Sequence, residues 1–187
     1  MIDLTINTSV ARHILTGFIR SEVKRVGYSR AVIGLSGGID SALSYALAVE
    51  ALGPQNVLAV RMPYGASSPE SLVHAELLIE QFETPSETIE ITDMVEPLFE
   101  RDPAITKQRK GNIMARQRMI VLYDQSEVFR GLVTGTSNKT EILLGYSTLW
   151  GDMASALNPI GDLYKTQVRQ LAHALAIPAV IVESSFC

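Results

Sequence analysis

Apolar and polar positions form repeating blocks along the chain, in which helical spacing alternates with short apolar runs. Between residues 10 and 23, apolar side chains recur every four positions, which predicts an amphipathic helix. The apolar pattern predicts four further helices, at about residues 41–52, 72–82, 112–128 and 166–175. Short apolar runs predict four strands, at residues 31–35, 56–62, 87–91 and 130–134.

Strands that are separated by helices need crossover connections, and crossovers produce parallel pairing. We therefore predict an α/β fold, a mainly parallel sheet with helices on both faces. Residues 1–187 fit a single domain, with 47% apolar and 19% charged residues. Ligands of such sheets bind beyond the carboxyl ends of the strands, so the candidate chemistry is sought there.

Composition narrows the kinds of partner and site. The net charge of −4 supplies no overall basic field, so we expect neither nucleic acid nor a membrane as a partner. The apolar runs are too short to span a bilayer, and the N-terminus has no secretory pattern, so we expect a cytoplasmic protein. Cys187 is the only cysteine, which excludes cysteine-ligated zinc and makes an activated thiol nucleophile a poor candidate. Three isolated histidines are interpreted as ordinary helix residues: His13, His74 and His173.

The strongest candidate for chemistry is a glycine-rich loop between the first strand and the second helix. Its residues are Gly34, Leu35, Ser36, Gly37, Gly38, Ile39, Asp40 and Ser41. The adjacent glycines permit positive φ and let backbone N–H groups converge on an anion, while the serines add hydroxyl donors. The following helix directs its positive end at the same point. Because a bare carboxylate would repel phosphate, we expect Asp40 to hold Mg²⁺.

A simpler interpretation is a tight strand-to-helix turn in which Asp40 or Ser41 caps the helix. We favour the phosphate site because the glycines, Asp40 and Ser41 occur at these offsets in this part of the fold. The chain has no Walker loop. The loop resembles instead the pyrophosphate-binding loop of the N-type ATP pyrophosphatases. That resemblance implies an adenine nucleotide alpha hydrolase-like, Rossmann-like fold and cleavage of ATP between its α and β phosphates.

Further stretches distinguish among the members of that superfamily. They are residues 62–64, 110–119, 135–141 with the following Gly145 and Tyr146, and 158–168. Together, and in this order, they resemble the NAD synthetase family over about residues 10 to 180. The resemblance implies that ATP and ammonia convert deamido-NAD to NAD⁺ through an NAD-adenylate, with release of AMP and pyrophosphate.

The resemblance also implies roles for particular residues. ATP is expected on loop residues 34–41, on Thr136 and on Lys165, Mg²⁺ on Asp40 and Glu141, and deamido-NAD on Arg116. Of these, Asp40, Glu141 and Lys165 are the expected catalytic residues. Without the resemblance, a glutamate in a first helical turn is commonly only a partner of the helix dipole. Likewise, the basic segment that contains Arg116 is commonly a solvated face.

The family resemblance implies a homodimer as well. The long helix near Met114, Ile120 and Val121 is a candidate interface, although these apolar residues are equally well explained as core.

Two features depart from the family pattern. Leu149 and Ala156 stand where many ammonia-dependent members have a lysine and an aspartate that bind deamido-NAD, so those two contacts are not carried over. The final residues, 182–187, look like a truncated or frameshifted end, and we expect the family's later ATP-closing loop to be missing. Two other hypotheses therefore stay open: an ATP pyrophosphatase with a different acceptor, and an inactive nucleotide-binding or dimerising remnant.

Overall fold

A four-stranded parallel sheet organises the computed structural model, which describes residues 3–65 and 68–184. The strands are β1 (Ala31–Gly34), β2 (Val57–Arg61), β3 (Ser86–Thr88) and β4 (Leu132–Thr134). They lie in the order β3-β2-β1-β4, and all three pairings are parallel. An isolated parallel bridge joins Thr134 to Leu157 beyond β4. The predicted parallel α/β fold is therefore confirmed.

Eight helices connect and flank these strands within the described ranges. They are α1 (Thr8–Arg25), α2 (Ile39–Leu52), α3 (Pro69–Phe82), α4 (Thr92–Glu100), α5 (Lys107–Phe129), α6 (Lys139–Leu144), α7 (Lys165–Ala174) and α8 (Ala179–Val182). None of them has both the length and the apolar composition needed to cross a bilayer. The histidines lie in α1, α3 and α7, as predicted, whereas Cys187 lies outside the described residues.

The sheet buries both of its faces, because successive side chains of a strand point to opposite sides. Ile33 of β1 packs into a large apolar cluster with α1, α2, α3, α7 and α8. The neighbouring Val32 packs into a smaller cluster on the other face, which includes Val121 of α5. Helices thus cover both faces, and the carboxyl ends of the strands form a shared edge where β1 leads into the glycine-rich loop.

The structure corrects several predicted boundaries. Helix α5 begins at Lys107 rather than near residue 112, and β3 is shorter than predicted and ends at Thr88. The first turn of α5 consists of polar residues and has no apolar period. Its start is instead fixed by Thr106, whose side chain accepts a hydrogen bond from the backbone N–H of Arg109.

The structure also differs from the sequence prediction in its short helices and in the exposure of some apolar residues. Helices α4, α6 and α8 have nine, six and four residues, too few for a recognisable period. In α1, the apolar residues that recur every four positions lie on two faces of the helix, one buried and one exposed. Ile19 and Val23 are buried, whereas Val10, Ile14 and Phe18 are between 39% and 59% exposed.

Candidate functional site

The glycine-rich loop turns sharply from β1 into α2. Gly37 has a φ of +80°, and a Cβ added there would lie 2.2 Å from the backbone oxygen of Ser71. Both observations require glycine at this position. Gly38 has a φ of −86°, so only Gly37 uses the positive φ expected for this pair.

Backbone N–H groups, rather than a capping side chain, form the start of α2. Gly38 is the N-cap residue and has no side chain to bond the first turn. The interpretation of Asp40 or Ser41 as the helix cap is therefore wrong. The Ser41 hydroxyl lies 2.9 Å from the carbonyl oxygen of Gly38 and donates to it, which holds the loop in shape. The positive end of α2 consequently points into the loop.

The residues of the loop divide into two groups. Gly34, Leu35 and Ser36 line a cavity, whereas the side chain of Ile39 is buried in the larger apolar cluster. Any contact between Ile39 and a ligand would therefore be made by its backbone.

Asp40 is the meeting point of three segments of the chain. Its Oδ1 accepts a hydrogen bond of 2.9 Å from Nδ2 of Asn138, which precedes α6. Its Oδ2 forms an ion pair with Nζ of Lys165, the first residue of α7. The side chains of Lys165 and Asp40 are only 19% and 16% exposed, so this ion pair is largely withdrawn from solvent. The structure thus brings together two residues predicted from positions 125 apart.

Glu141 lies beside this pair, in the first turn of α6. Its Oε2 accepts a hydrogen bond of 3.1 Å from the backbone N–H of Asn138. Burial raises the pKa of Glu141, and the negative charge of Asp40 raises it further. The Asn138 hydrogen bond and the charge of Lys165 act in the opposite direction. Glu141 and Asp40 therefore influence one another electrostatically, and a cation between them would favour the ionised form of Glu141.

The two carboxylates fit the coordination habits of Mg²⁺. In the described part of the chain, no group of three or more histidine, cysteine, aspartate or glutamate side chains is arranged to hold a metal. A site with one or two carboxylates, completed by water and substrate phosphates, is typical of Mg²⁺ rather than of zinc.

A cavity of about 380 Å³ opens beyond the carboxyl ends of β1, β2 and β4. Its walls include Leu35, Met62, Leu122 and Thr136, with Arg118 and Asp152 among the charged residues. This volume is within the range of small-molecule pockets, which are mostly apolar with a few placed polar groups. Thr136 therefore lies at the ligand-facing edge of the sheet.

Arg116 lies apart from the lining of this cavity. Its Nε donates a hydrogen bond of 3.2 Å to the backbone oxygen of Leu149, in the segment that follows α6. Thr148 of the same segment donates from its hydroxyl to Oδ1 of Asn112, at 3.0 Å. Arg116 thus holds this segment against α5, and the segment contains one of the two positions that depart from the family pattern.

Two site residues were missed by the sequence interpretation. Asn138 is fully buried and touches both candidate metal ligands. The sequence does contain a pattern that indicates Asn138, because an asparagine three residues before a glutamate is typical of a capping box. Arg118 has no role in the sequence interpretation, yet it lines the cavity and donates from Nε to the backbone oxygen of Met62, at 3.1 Å. No sequence pattern indicated which arginine of the basic segment points inward.

Known proteins match this chain in sequence and in structure. An NH(3)-dependent NAD(+) synthetase from Trichlorobacter lovleyi is 55% identical over 98% of this chain and 67% of its own length. This chain spans about two thirds of the length of such curated relatives, with shares of 67%, 66% and 65%.

Solved structures of similar proteins agree with the sequence matches. An NH3-dependent NAD synthetase from Campylobacter jejuni superposes with a TM-score of 0.92 at 37% identity, over 98% of this chain and 80% of that one. An NMN synthetase from Francisella tularensis superposes with a TM-score of 0.90 at 31% identity, over 96% and 75%. The family model described as NAD synthase matches residues 11–185. The chain therefore belongs to the NAD synthase family, as the resemblance of its motifs predicted.

Proposed function

We propose that this chain converts deamido-NAD to NAD⁺, with ATP as co-substrate and ammonia as the nitrogen donor. The observation that carries the proposal is the meeting of Asp40, Glu141 and Lys165 beside the glycine-rich loop. Relatives that are 50–56% identical to this chain are named NH(3)-dependent NAD(+) synthetases, which supports the choice of reaction.

ATP binds, in this proposal, with its phosphates on the loop and its nucleoside in the cavity. The backbone of residues 34–41 and the start of α2 supply N–H donors for the phosphates. Thr136 contributes a hydroxyl at the cavity wall. Lys165 supplies a mobile positive charge, which suits a phosphate because an ammonium group acts as a point charge.

Mg²⁺ would be held by Asp40 and Glu141, and when bound it neutralises negative charge on the phosphates. Lys165 then exchanges its ion pair with Asp40 for a contact with ATP. Arg116 binds deamido-NAD from its place on α5, next to the segment that contains Leu149. These groups together offset the repulsion between two anionic substrates.

The chemistry proceeds in two balanced steps. A carboxylate oxygen of deamido-NAD attacks the α-phosphorus of ATP, which forms the acyl-adenylate and releases pyrophosphate. Ammonia then attacks the acyl carbon and loses a proton, and AMP leaves with the oxygen that had joined carbon to phosphorus. Because water would hydrolyse the adenylate, the yield of NAD⁺ depends on how well the site excludes water between the two steps.

Nicotinate mononucleotide is the second candidate acceptor. The similar Francisella tularensis protein is an NMN synthetase, and Leu149 and Ala156 of this chain lack the charged groups expected to contact deamido-NAD. We favour deamido-NAD because the relatives with the higher identity are NAD synthetases. A nucleotide-binding protein without activity is the remaining hypothesis.

The test is chromatography of NAD⁺ and AMP after the purified chain reacts with Mg-ATP, ammonium chloride and either acceptor. We expect equal amounts of NAD⁺ and AMP with deamido-NAD, and less AMP with nicotinate mononucleotide. A preference for the mononucleotide would select the second candidate. Binding of ATP without release of AMP would contradict both enzymes.

Replacement of one carboxylate tests the metal site. We expect Asp40→Asn to lower the turnover number by at least about a hundredfold, in the range seen when one electrostatic stabiliser is removed. Asparagine keeps the shape of the side chain but loses its charge, so Mg²⁺ and Lys165 lose a partner. Asp93→Asn, a change of the same type at an exposed position of α4, is the control and should leave the turnover number unchanged. Unchanged turnover in Asp40→Asn would remove the proposed metal role.

We also propose a homodimer that forms through the exposed face of α5. The structure divides the candidate interface residues: Val121 is buried and Met114 packs against the smaller apolar cluster, so both belong to the core. Ile120 is 54% exposed, and Tyr123, one helical turn further on, is 41% exposed. These two exposed side chains support an interface.

A charge placed on that face should separate the subunits. We expect sedimentation equilibrium to give a dimer for the wild-type chain and a monomer for Ile120→Glu, because the glutamate would be buried without a partner. Ile14→Glu, at a 59% exposed position of α1, is the matched control and should stay dimeric. Dissociation by both variants, or by the control alone, would exclude this face.

We infer a cytoplasmic location from the use of Mg-ATP and free ammonia, and the net charge of −4 supports the expectation that nucleic acid is not a partner. Fractionation of cells, with the chain detected by antibody, tests the location.

A further inference from the structure

Asn138 uses every polar group of its side chain and its backbone N–H on the two candidate metal ligands. Its Nδ2 donates to Oδ1 of Asp40 at 2.9 Å, and its Oδ1 accepts from the backbone N–H of Glu141 at 3.0 Å. Its backbone N–H donates to Oε2 of Glu141 at 3.1 Å. The residue is 0% exposed, so water does not compete for these bonds.

These bonds tie together two helices that approach from different parts of the chain. Asp40 belongs to the first turn of α2 and Glu141 to the first turn of α6. Asn138 bonds one oxygen of each carboxylate, that of Asp40 through its side-chain amide and that of Glu141 through its backbone N–H. One residue therefore orients both carboxylates. An asparagine is needed for this arrangement, because one end of the amide donates while the other accepts.

We propose that Asn138 is a positioning residue that fixes the orientation of Asp40 and Glu141 for Mg²⁺ bound with ATP. The inference rests on the proposed function, since that function supplies the metal and the nucleotide. Groups that orient metal ligands commonly change metal affinity by about 10–100-fold when they are removed. The alternative is a purely structural role, in which Asn138 only caps α6.

A substitution that keeps the cap but loses the bond to Asp40 separates these roles. Asn138→Ser retains a hydroxyl that accepts from the backbone of Glu141, because serine is a good N-cap residue. Its side chain is too short to reach Asp40 in the same way and carries no amide donor. Asn138→Thr, which keeps a capping hydroxyl and fills more of the volume, is the second variant.

The chain offers a matched control at another helix start. Asn7 caps α1, and its Oδ1 accepts from the backbone N–H of Val10 at 3.1 Å. Asn7→Ser therefore makes the same chemical change at a cap on a different helix. Urea unfolding of each variant verifies that it folds cooperatively and shows the effect of the altered cap on stability.

Calorimetric titration with ATP, in excess Mg²⁺ and separately in EDTA, measures the gain in affinity that the metal provides. We expect Asn138→Ser and Asn138→Thr to reduce this gain by about tenfold or more, in the range for lost metal-orienting groups. Affinity for ATP in EDTA should change little in these variants, and Asn7→Ser should resemble the wild-type chain in both titrations.

The outcomes distinguish this inference from the proposed function. If Mg²⁺ increases the ATP affinity of a folded Asn138→Ser or Asn138→Thr chain as much as it does in the wild-type chain, the positioning role is overturned. The proposed function then still stands. A wild-type chain whose ATP affinity ignores Mg²⁺ overturns the metal role in the proposed function, and the positioning role with it. An equal loss in Asn7→Ser also overturns the inference, because the effect would then come from helix capping alone.

Discussion

The negative charge of Asp40 is largely withdrawn from water, and the bonds that stabilise it connect the segments of the site. A carboxylate in such surroundings is costly unless hydrogen bonds and an opposite charge compensate for the lost hydration. Asn138 supplies the hydrogen bond and Lys165 the charge, so the starts of α2, α6 and α7 are drawn to one point. A site for Mg-ATP is consistent with this arrangement, because a divalent cation can replace Lys165 as the compensating charge.

The parallel sheet makes this meeting of distant residues possible. Because all four strands run in the same direction, the segments after β1 and β4 emerge at the same edge. The helices that follow these strands then point their positive ends toward that edge. The large apolar cluster behind α2 holds its first turn in place, and the close approach of Ser71 to Gly37 fixes the path of the loop. Packing and backbone geometry therefore set the position of the charged groups.

Local signals account for what could be predicted from the sequence. The glycine-rich loop, the buried strands and the long helices all follow from spacing within a few residues, and the family motifs indicated Asp40, Glu141, Thr136 and Lys165. The bonds among these residues depend on contacts across about a hundred positions, which local periodicity does not contain. For the same reason Asn138 was missed as a link, and Ile120 could not be distinguished from Val121 as a surface residue until the orientation of α5 was known.

The proposed reaction begins when a substrate carboxylate attacks the α-phosphorus of ATP at this site. Deamido-NAD labelled with ¹⁸O in its carboxylate tests this step, with mass spectrometry of the AMP formed in the presence of Mg²⁺ and ammonia. We expect one ¹⁸O atom in the phosphate of AMP, because the oxygen that joins carbon to phosphorus leaves with AMP. AMP without the label, formed from fully labelled substrate, would contradict adenylation of the carboxylate.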